Sequence, residues 1–273
     1  MNDPTHTPTQ PSESTVPAAS HPARPGRRAI VVGASSGIGE ALVEELYGQG
    51  YAVAALARRE EKLGELQQRL EQRAEAGAAK LLVRAHDVQD AESIPDLLEE
   101  LVEGLGGLDL LIFAAGVMPA IERHEYPTDK DLFMLSVNVG GCIAWCNAVA
   151  PLMRTQGFGT ICGISSIAGD RGRKGNPVYC TTKAAMDTYL EALRNRLAED
   201  GVHVCTIKPG FVDTDMTKGM DGLFWLASPG EAARSILAAI RGRANVRYVK
   251  RRWWLVGRVI KSIPSFIFRR TNI

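Results

Sequence analysis

Ala29-Ile30-Val31-Val32-Gly33-Ala34-Ser35-Ser36-Gly37-Ile38-Gly39-Glu40 decides the fold. Four apolar residues suited to a buried parallel strand run into a glycine-rich turn, and a helical pattern follows over Glu40–Tyr47. A helix N-terminus offers unpaired N–H groups and a partial positive charge, which suit a pyrophosphate. Glycine lets the backbone turn tightly and approach phosphates with no Cβ in the way. The spacing is Gly-x-x-x-Gly-x-Gly, unlike the Gly-x-Gly-x-x-Gly of other dinucleotide folds. Gly33, Ser35, Ser36, Gly37, Ile38 and Gly39 are therefore the candidate phosphate cradle, with a plain glycine-rich turn as the alternative.

Outward from this unit the same alternation repeats. Strands are predicted at Ala29–Val32, Ala52–Ala57, Leu81–Ala85, Leu108–Ala114, Thr160–Ile164, His203–Ile207 and Val246–Val249. Helices are predicted near Glu40–Tyr47, Glu60–Ala76, Ala91–Leu105, Asp131–Met153, Val178–Ala198 and Glu231–Ile240. The order points to an α/β fold, a doubly wound, seven-stranded parallel sheet with helices on both faces and ligands at the carboxyl ends of the strands. At 273 residues and 45% hydrophobic, the chain can build one large domain, placed at 28–249. Residues 1–27, rich in Pro, Thr, Ser and Ala, are expected to be a disordered tail without a signal-peptide core. Residues 250–273 form a basic, aromatic extension.

The end of the second strand should approach the adenosine ribose. An acid there would favour a 2′-hydroxyl. This chain has Ala57-Arg58-Arg59 instead, two cations that favour NADP(H). NAD(H) stays open if these arginines are only solvated residues at a helix start.

Tyr179 and Lys183 lie four apart in a helical stretch and so share one face. A free tyrosine, with a pKa of about 10, is a poor proton donor near neutrality. A lysine charge about 4 Å away contributes on the order of 4 kcal/mol at an effective dielectric of about 20, or about three pKa units. The spacing thus suggests a general acid–base pair. Ser166, thirteen residues before Tyr179 at the end of the fifth strand, can hydrogen-bond a reacting carbonyl; its alternative is a turn serine bonding its own backbone. Asn138, polar in a long apolar stretch, reads either as a satisfied core amide or helix kink, or as the holder of a water that relays protons to Lys183.

Composition narrows the partners. Cys142, Cys146, Cys162, Cys180 and Cys205 are odd in number and set in apolar stretches, as free thiols of a reducing compartment are. The Cys142/Cys146 spacing lacks the further ligands of a metal site. No run reaches the roughly 18 apolar residues of a membrane span, so the body is expected in the cytoplasm. Net charge is +1, yet Ala232–Ile273 has no acidic residue and eleven Lys and Arg. Lys250-Arg251-Arg252-Trp253-Trp254-Leu255-Val256, with Pro264 splitting any helix beyond it, fits peripheral contact with an anionic membrane on its inner face. A subunit contact or a pocket lid are the alternatives. No nucleic-acid motif accompanies these charges.

From Arg28 to Thr217 these residues resemble the short-chain dehydrogenase/reductase family. The match rests on the glycine turn, Asp87-Val88, Asn138, Ser166, Tyr179, Lys183, and Pro209-Gly210 with Val212 and Thr214. The resemblance implies a Rossmann fold and hydride transfer between a nicotinamide and a carbonyl or alcohol. Tyr179 would be the proton donor or acceptor, Lys183 would hold the nicotinamide ribose and lower the tyrosine pKa, Ser166 would orient the substrate and Asn138 would support the relay. Asp87 and Val88 would border the adenine; Ala115, Gly116, Pro209, Gly210, Val212 and Thr214 would line the rest of the cofactor site. Two positions depart from the pattern: Phe113-Ala114-Ala115-Gly116 replaces Asn-Asn-Ala-Gly, and Val32 replaces the usual Thr.

The second half is also similar to the decaprenylphosphoryl-2-keto-ribose reductase group, through Ser166–Arg173, Leu193–Leu197 and Lys208–Thr214. That implies a keto-sugar on a polyprenyl phosphate as substrate. A free lipophilic ketone or alcohol is the alternative, and a non-catalytic dinucleotide sensor is a third reading, which the complete set of Asn138, Ser166, Tyr179 and Lys183 disfavours. Family practice implies a homodimer or homotetramer through the long helices Asp131–Met153 and Val178–Ala198.

Overall fold

Among the residues described by the computed structural model, 26–73, 79–220 and 222–271, seven strands pair in parallel. They are β1 Arg28–Val32, β2 Ala52–Ala57, β3 Leu81–Ala85, β4 Leu110–Phe113, β5 Gly159–Ile164, β6 Val202–Pro209 and β7 Val246–Val249, in the order β3-β2-β1-β4-β5-β6-β7. The winding reverses between β1 and β4, where Val32 sits beside Phe113. This is the doubly wound sheet expected from the sequence. Its switch point opens a crevice at the carboxyl ends of β1 and β4.

Side chains alternate across each strand, so the sheet has two cores. Ala29 and Val31 face Leu42 and Leu46 of α1 (Gly37–Gly48) and Ile236 and Leu237 of α7 (Pro229–Arg241). Ile30 and Val32 face the other layer, built from Leu101 of α3 (Ile94–Leu105), Trp145 and Val149 of α5 (Gly141–Gln156), and Met186 and Leu190 of α6 (Pro177–Arg196). Each fully buried Leu or Ile contributes about 1.5–3 kcal/mol, and that burial, rather than helix propensity, holds the layers. The departures Val32 and Phe113 belong to this core, 1% and 0% exposed.

Several expected boundaries move. The helix predicted over Ala91–Leu105 begins at Ile94, because Asp87 and Asp90 accept hydrogen bonds from the backbone N–H groups of Gln89 and Ser93 and hold the preceding turn. The helix placed at Glu60–Ala76 is α2, Glu60–Glu71; residues 74–76 lie outside the described residues. The expected tail also lies outside them except for Gly26 and Arg27, which bond to Asp109 and to Ala52 and Gln49.

The largest correction concerns Asp131–Met153. It is α4 (Thr128–Leu135), a π-helical turn (Ser136–Gly140), then α5. The widened turn inserts a residue and turns Asn138 into the core, 0% exposed. Contrary to the sequence expectation, this composite helix, Thr128–Gln156, is long and apolar enough to cross a membrane. Its apolarity serves the sheet instead: Cys142, Trp145, Cys146, Val149 and Met153 are buried against it.

Beyond β7 the chain turns at Lys250, with φ +57, into α8 (Arg252–Ser262); Pro264 separates this from α9 (Ser265–Phe268). Arg171 fastens the extension by donating to the carbonyls of Ile260 (2.6 Å) and Ile263 (2.5 Å), and its guanidinium stacks 4.1 Å from the Phe268 ring centroid.

Candidate active site

Asn176 opens α6. Its side chain accepts from the Tyr179 N–H at 3.0 Å, and Pro177 at the first helical position is preset for the turn. Tyr179 therefore stands in the first turn and Lys183 one turn further in. Ser166 follows β5 and caps the short 3₁₀ turn Ile167–Asp170, accepting from Ala168 N–H at 3.0 Å. This is the turn serine of the sequence reading; Ser166 also lies close enough to Tyr179 to lower its pKa. The Tyr179 hydroxyl lies 3.9 Å from Met216 Sδ.

The electrostatics differ from the sequence expectation. The Lys183 ammonium sits 5.7 Å from the Tyr179 ring centroid and donates to the Ile164 carbonyl at 3.0 Å. Burial pushes Tyr179 up to about 12, against smaller downward effects from the Ser166 hydrogen bond and the Arg173 charge. Burial likewise brings Lys183 down to about 8. Desolvation, which a spacing argument cannot see, dominates at both groups. The phenol is thus held as an acid at neutral pH.

Asn138 is a satisfied amide. Its Oδ1 accepts from Val117 N–H at 2.7 Å, and its Nδ2 donates to the Val117 carbonyl (3.0 Å) and to Thr182 Oγ1 (3.1 Å). It ties the loop after β4 to α6. A Cβ on Gly116 would stand 3.4 Å from Asn138 Oδ1 and 3.5 Å from Lys183 Nζ. The structure thus brings Gly116, Asn138, Lys183, Tyr179 and Ser166 to one end of the sheet.

The glycine turn lies beside them. Gly33 has φ +93, and a Cβ there would overlap the Ala115 backbone; a Cβ on Gly39 would overlap the Gly33 carbonyl oxygen. No side chain caps α1 at Ser36, so its first-turn N–H groups keep their capacity to bind an anion. Gly37 meets Thr214 across the cleft. Arg59 donates to Ser35 Oγ (3.0 Å) and Ser36 Oγ (2.7 Å). Arg58 lies 3.8 Å from the Asp87 carboxylate and 5.8 Å from the Phe133 ring centroid. Val88 is buried beneath Gly141. This cradle fits a dinucleotide.

At the far side, Val212 bridges Ala227, and Thr217 Oγ1 donates to the Val212 carbonyl at 2.7 Å. Gly210, read as a cofactor residue, has another use: a Cβ there would overlap the Trp253 indole. Trp253, read as a membrane residue, is 3% exposed and packs on Phe211, Phe224 and Trp225.

Two features escaped sequence reasoning. Arg173 lies near enough to Tyr179 to act on its ionisation, and its buried Nε has no hydrogen-bond partner among the described residues. Lys208, at the end of β6, bonds both Asp170 (2.5 Å) and Asp187 (2.7 Å), with Tyr248 and Lys261 also on Asp170. Burial pushes Asp170 up, but its bonds from Lys208 and Lys261 outweigh this and hold it below its ordinary range. Burial wins at Asp187, which is raised. A lysine inside a fully buried strand was the one sequence signal for this network.

With this geometry in place, comparison with known proteins decides the family. Residues 27–221 match the family of short chain dehydrogenases. The chain belongs to the short-chain dehydrogenase/reductase family. It is 34% identical over 193 residues to an uncharacterized oxidoreductase of Staphylococcus epidermidis, covering 71% of this chain and 81% of that one. It is 33% identical to one of Staphylococcus saprophyticus, covering 80% and 92%. A short chain dehydrogenase of Burkholderia cenocepacia, solved in complex with NADP, superposes with a TM-score of 0.75 at 23% identity, over 90% of this chain and 97% of that one. A family member from Mycobacterium ulcerans gives 0.76 at 23% identity over 85% and 90%. This short-chain dehydrogenase/reductase is an NAD(P)-dependent oxidoreductase.

Proposed function

We propose that this enzyme reduces a carbonyl with NADPH, Tyr179 supplying the proton. The observation that carries the reading is the meeting of Gly116, Lys183 and Tyr179 at one end of the sheet, beside a glycine turn shaped for phosphates: a Cβ on Gly116 would stand 3.5 Å from Lys183 Nζ, which lies 5.7 Å from the Tyr179 ring centroid. When bound, the nicotinamide supplies a hydride to the carbonyl carbon. Ser166 and Tyr179 hold the carbonyl oxygen between two hydroxyls; the Tyr179 O–H bond breaks as the alcohol O–H bond forms. The charge on Lys183 stabilises the phenolate left behind. Arg59, bridging Ser35 and Ser36, and Arg58 favour the 2′-phosphate of NADP(H) over the hydroxyl of NAD(H).

The substrate class follows from the mouth. Phe211, Phe224 and Trp225 form an aromatic chain and Met216 meets the Tyr179 hydroxyl, whereas Arg173 brings a positive charge within reach of Tyr179. An amphipathic, anionic carbonyl compound fits both, and a keto-sugar on a polyprenyl phosphate has that chemistry. NADPH oxidation is to be measured over free keto-sugars, lipid-linked keto-sugars and hydrophobic ketones, then repeated with NADH. Lipid-linked keto-sugars should turn over fastest and only with NADPH. Equal rates with free ketones would remove the lipid-linked reading, and NADH preference the NADP(H) one. We place this enzyme in the cytoplasm, and as a homo-oligomer joined through α6, whose outer groove is lined by Cys180, Thr181, Ala184, Ala185, Thr188 and Ala192.

A further inference from the structure

Helix α8 has two unlike faces. Trp253, Gly257 and Ile260 turn inward over the body. Outward stand Trp254, Leu255 and Val259, each at least half exposed, and α9 adds Phe266 at 60% and Ile267 at 46%. The neighbouring Phe224, Trp225 and Leu226 are 49%, 39% and 39% exposed; Trp225 touches Trp253. Contiguous apolar exposure of this kind marks a surface that something covers.

The charge on this face says what. Arg252 and Arg258 are exposed on α8, and Arg251, Arg269 and Arg270 are exposed at the ends of the two helices. Among the described residues none of them has a carboxylate partner, and Lys261 alone of the α8–α9 cations pairs with one, Asp170. Arg258 stacks 5.3 Å from the Trp254 ring centroid and Arg252 4.5 Å from that of Trp225. Tryptophan beside arginine on an aliphatic helix face suits the level of lipid headgroups, where rings sit among the headgroups and cations meet phosphates.

We propose that the α8–α9 face docks this enzyme on an anionic membrane surface. A second copy would set arginines against arginines with no acid to answer them. Nucleic acid would leave Leu255, Val259 and Ile267 uncovered. The surface argument is independent of which carbonyl is reduced.

The test uses the full chain in flotation with vesicles of phosphatidylcholine alone, or mixed with phosphatidylglycerol. Binding is expected only to the mixed vesicles and should be lost near 0.5 M salt, where the Debye length is only about 4 Å. Leu255→Glu with Val259→Glu, and separately Arg251→Glu with Arg258→Glu, should each lower vesicle affinity about tenfold or more. Both variants should keep the parent melting temperature and NADPH binding. Failure of the parent to float with mixed vesicles, or unchanged flotation of the variants, overturns the proposal. So does a parent that ignores vesicles while Leu255→Glu with Val259→Glu lowers its mass in light scattering, which makes the face a subunit contact.

Discussion

At the scale of single residues, burial governs the chemistry. Tyr179 at about 12 keeps its proton throughout neutral pH, whereas Lys183 at about 8 begins to lose its own. Carbonyl reduction, which needs Tyr179 protonated and Lys183 charged, should be level through neutral pH and fall above about pH 8. Lys183→Arg, whose charge does not titrate, should retain some rate and lose that limb; a limb unchanged in this variant assigns it to another group. Tyr179→Phe should cost about 10²–10⁴ in turnover and leave NADPH binding, followed by fluorescence, intact. Tyr179, Lys183 and Ser166 were legible because a helical period and a strand end place them together. Their ionisation was not, because desolvation depends on neighbours such as Ile164, beside Lys183, and Met216, beside Tyr179, which come from other stretches of chain.

At the scale of elements, the ion cluster under the site links four of them. Lys208 at the end of β6 holds Asp170 in the turn after Ser166 and Asp187 one helical turn past Lys183; Lys261 brings in α8. The cluster ties the turn after Ser166 to the helix that carries Tyr179 and Lys183. Lys208→Met removes the cation shared by buried Asp170 and half-buried Asp187, leaving Asp170 to Lys261, and should cost about 3 kcal/mol, a fall in melting temperature on the order of 10 °C, read by calorimetry or denaturant titration. A loss within about 0.5 kcal/mol, the range of neutral surface changes, would mean the cluster is solvated. Strands β2, β3 and β7 were readable end to end, since apolar runs stop at polar turns. The π turn at Ser136–Gly140 was not, because apolar periodicity continues through it and only its contacts with Val117 and Thr182 require the extra residue.

At the scale of the whole molecule, the assembly proposed through the outer face of α6 can be tested directly. Light scattering should show a dimer or tetramer, and Ala184→Arg with Thr188→Arg, which fills the groove with charge, should give the monomer with its fold intact. A parent that already runs as a monomer would rule out this assembly. The sequence by itself determined the doubly wound sheet, the glycine turn and the residues offered for hydride transfer, because these rest on local periodicity and on what glycine, tyrosine and lysine can do at fixed spacing. Only the tertiary structure decided where residues 250–271 go. Trp253 and Trp254 are neighbours of identical chemistry, yet one fills the space over Gly210 and the other stands in solvent. The physical reason is that burial belongs to a helix face, and a helix acquires its inward face only when the body it packs on exists.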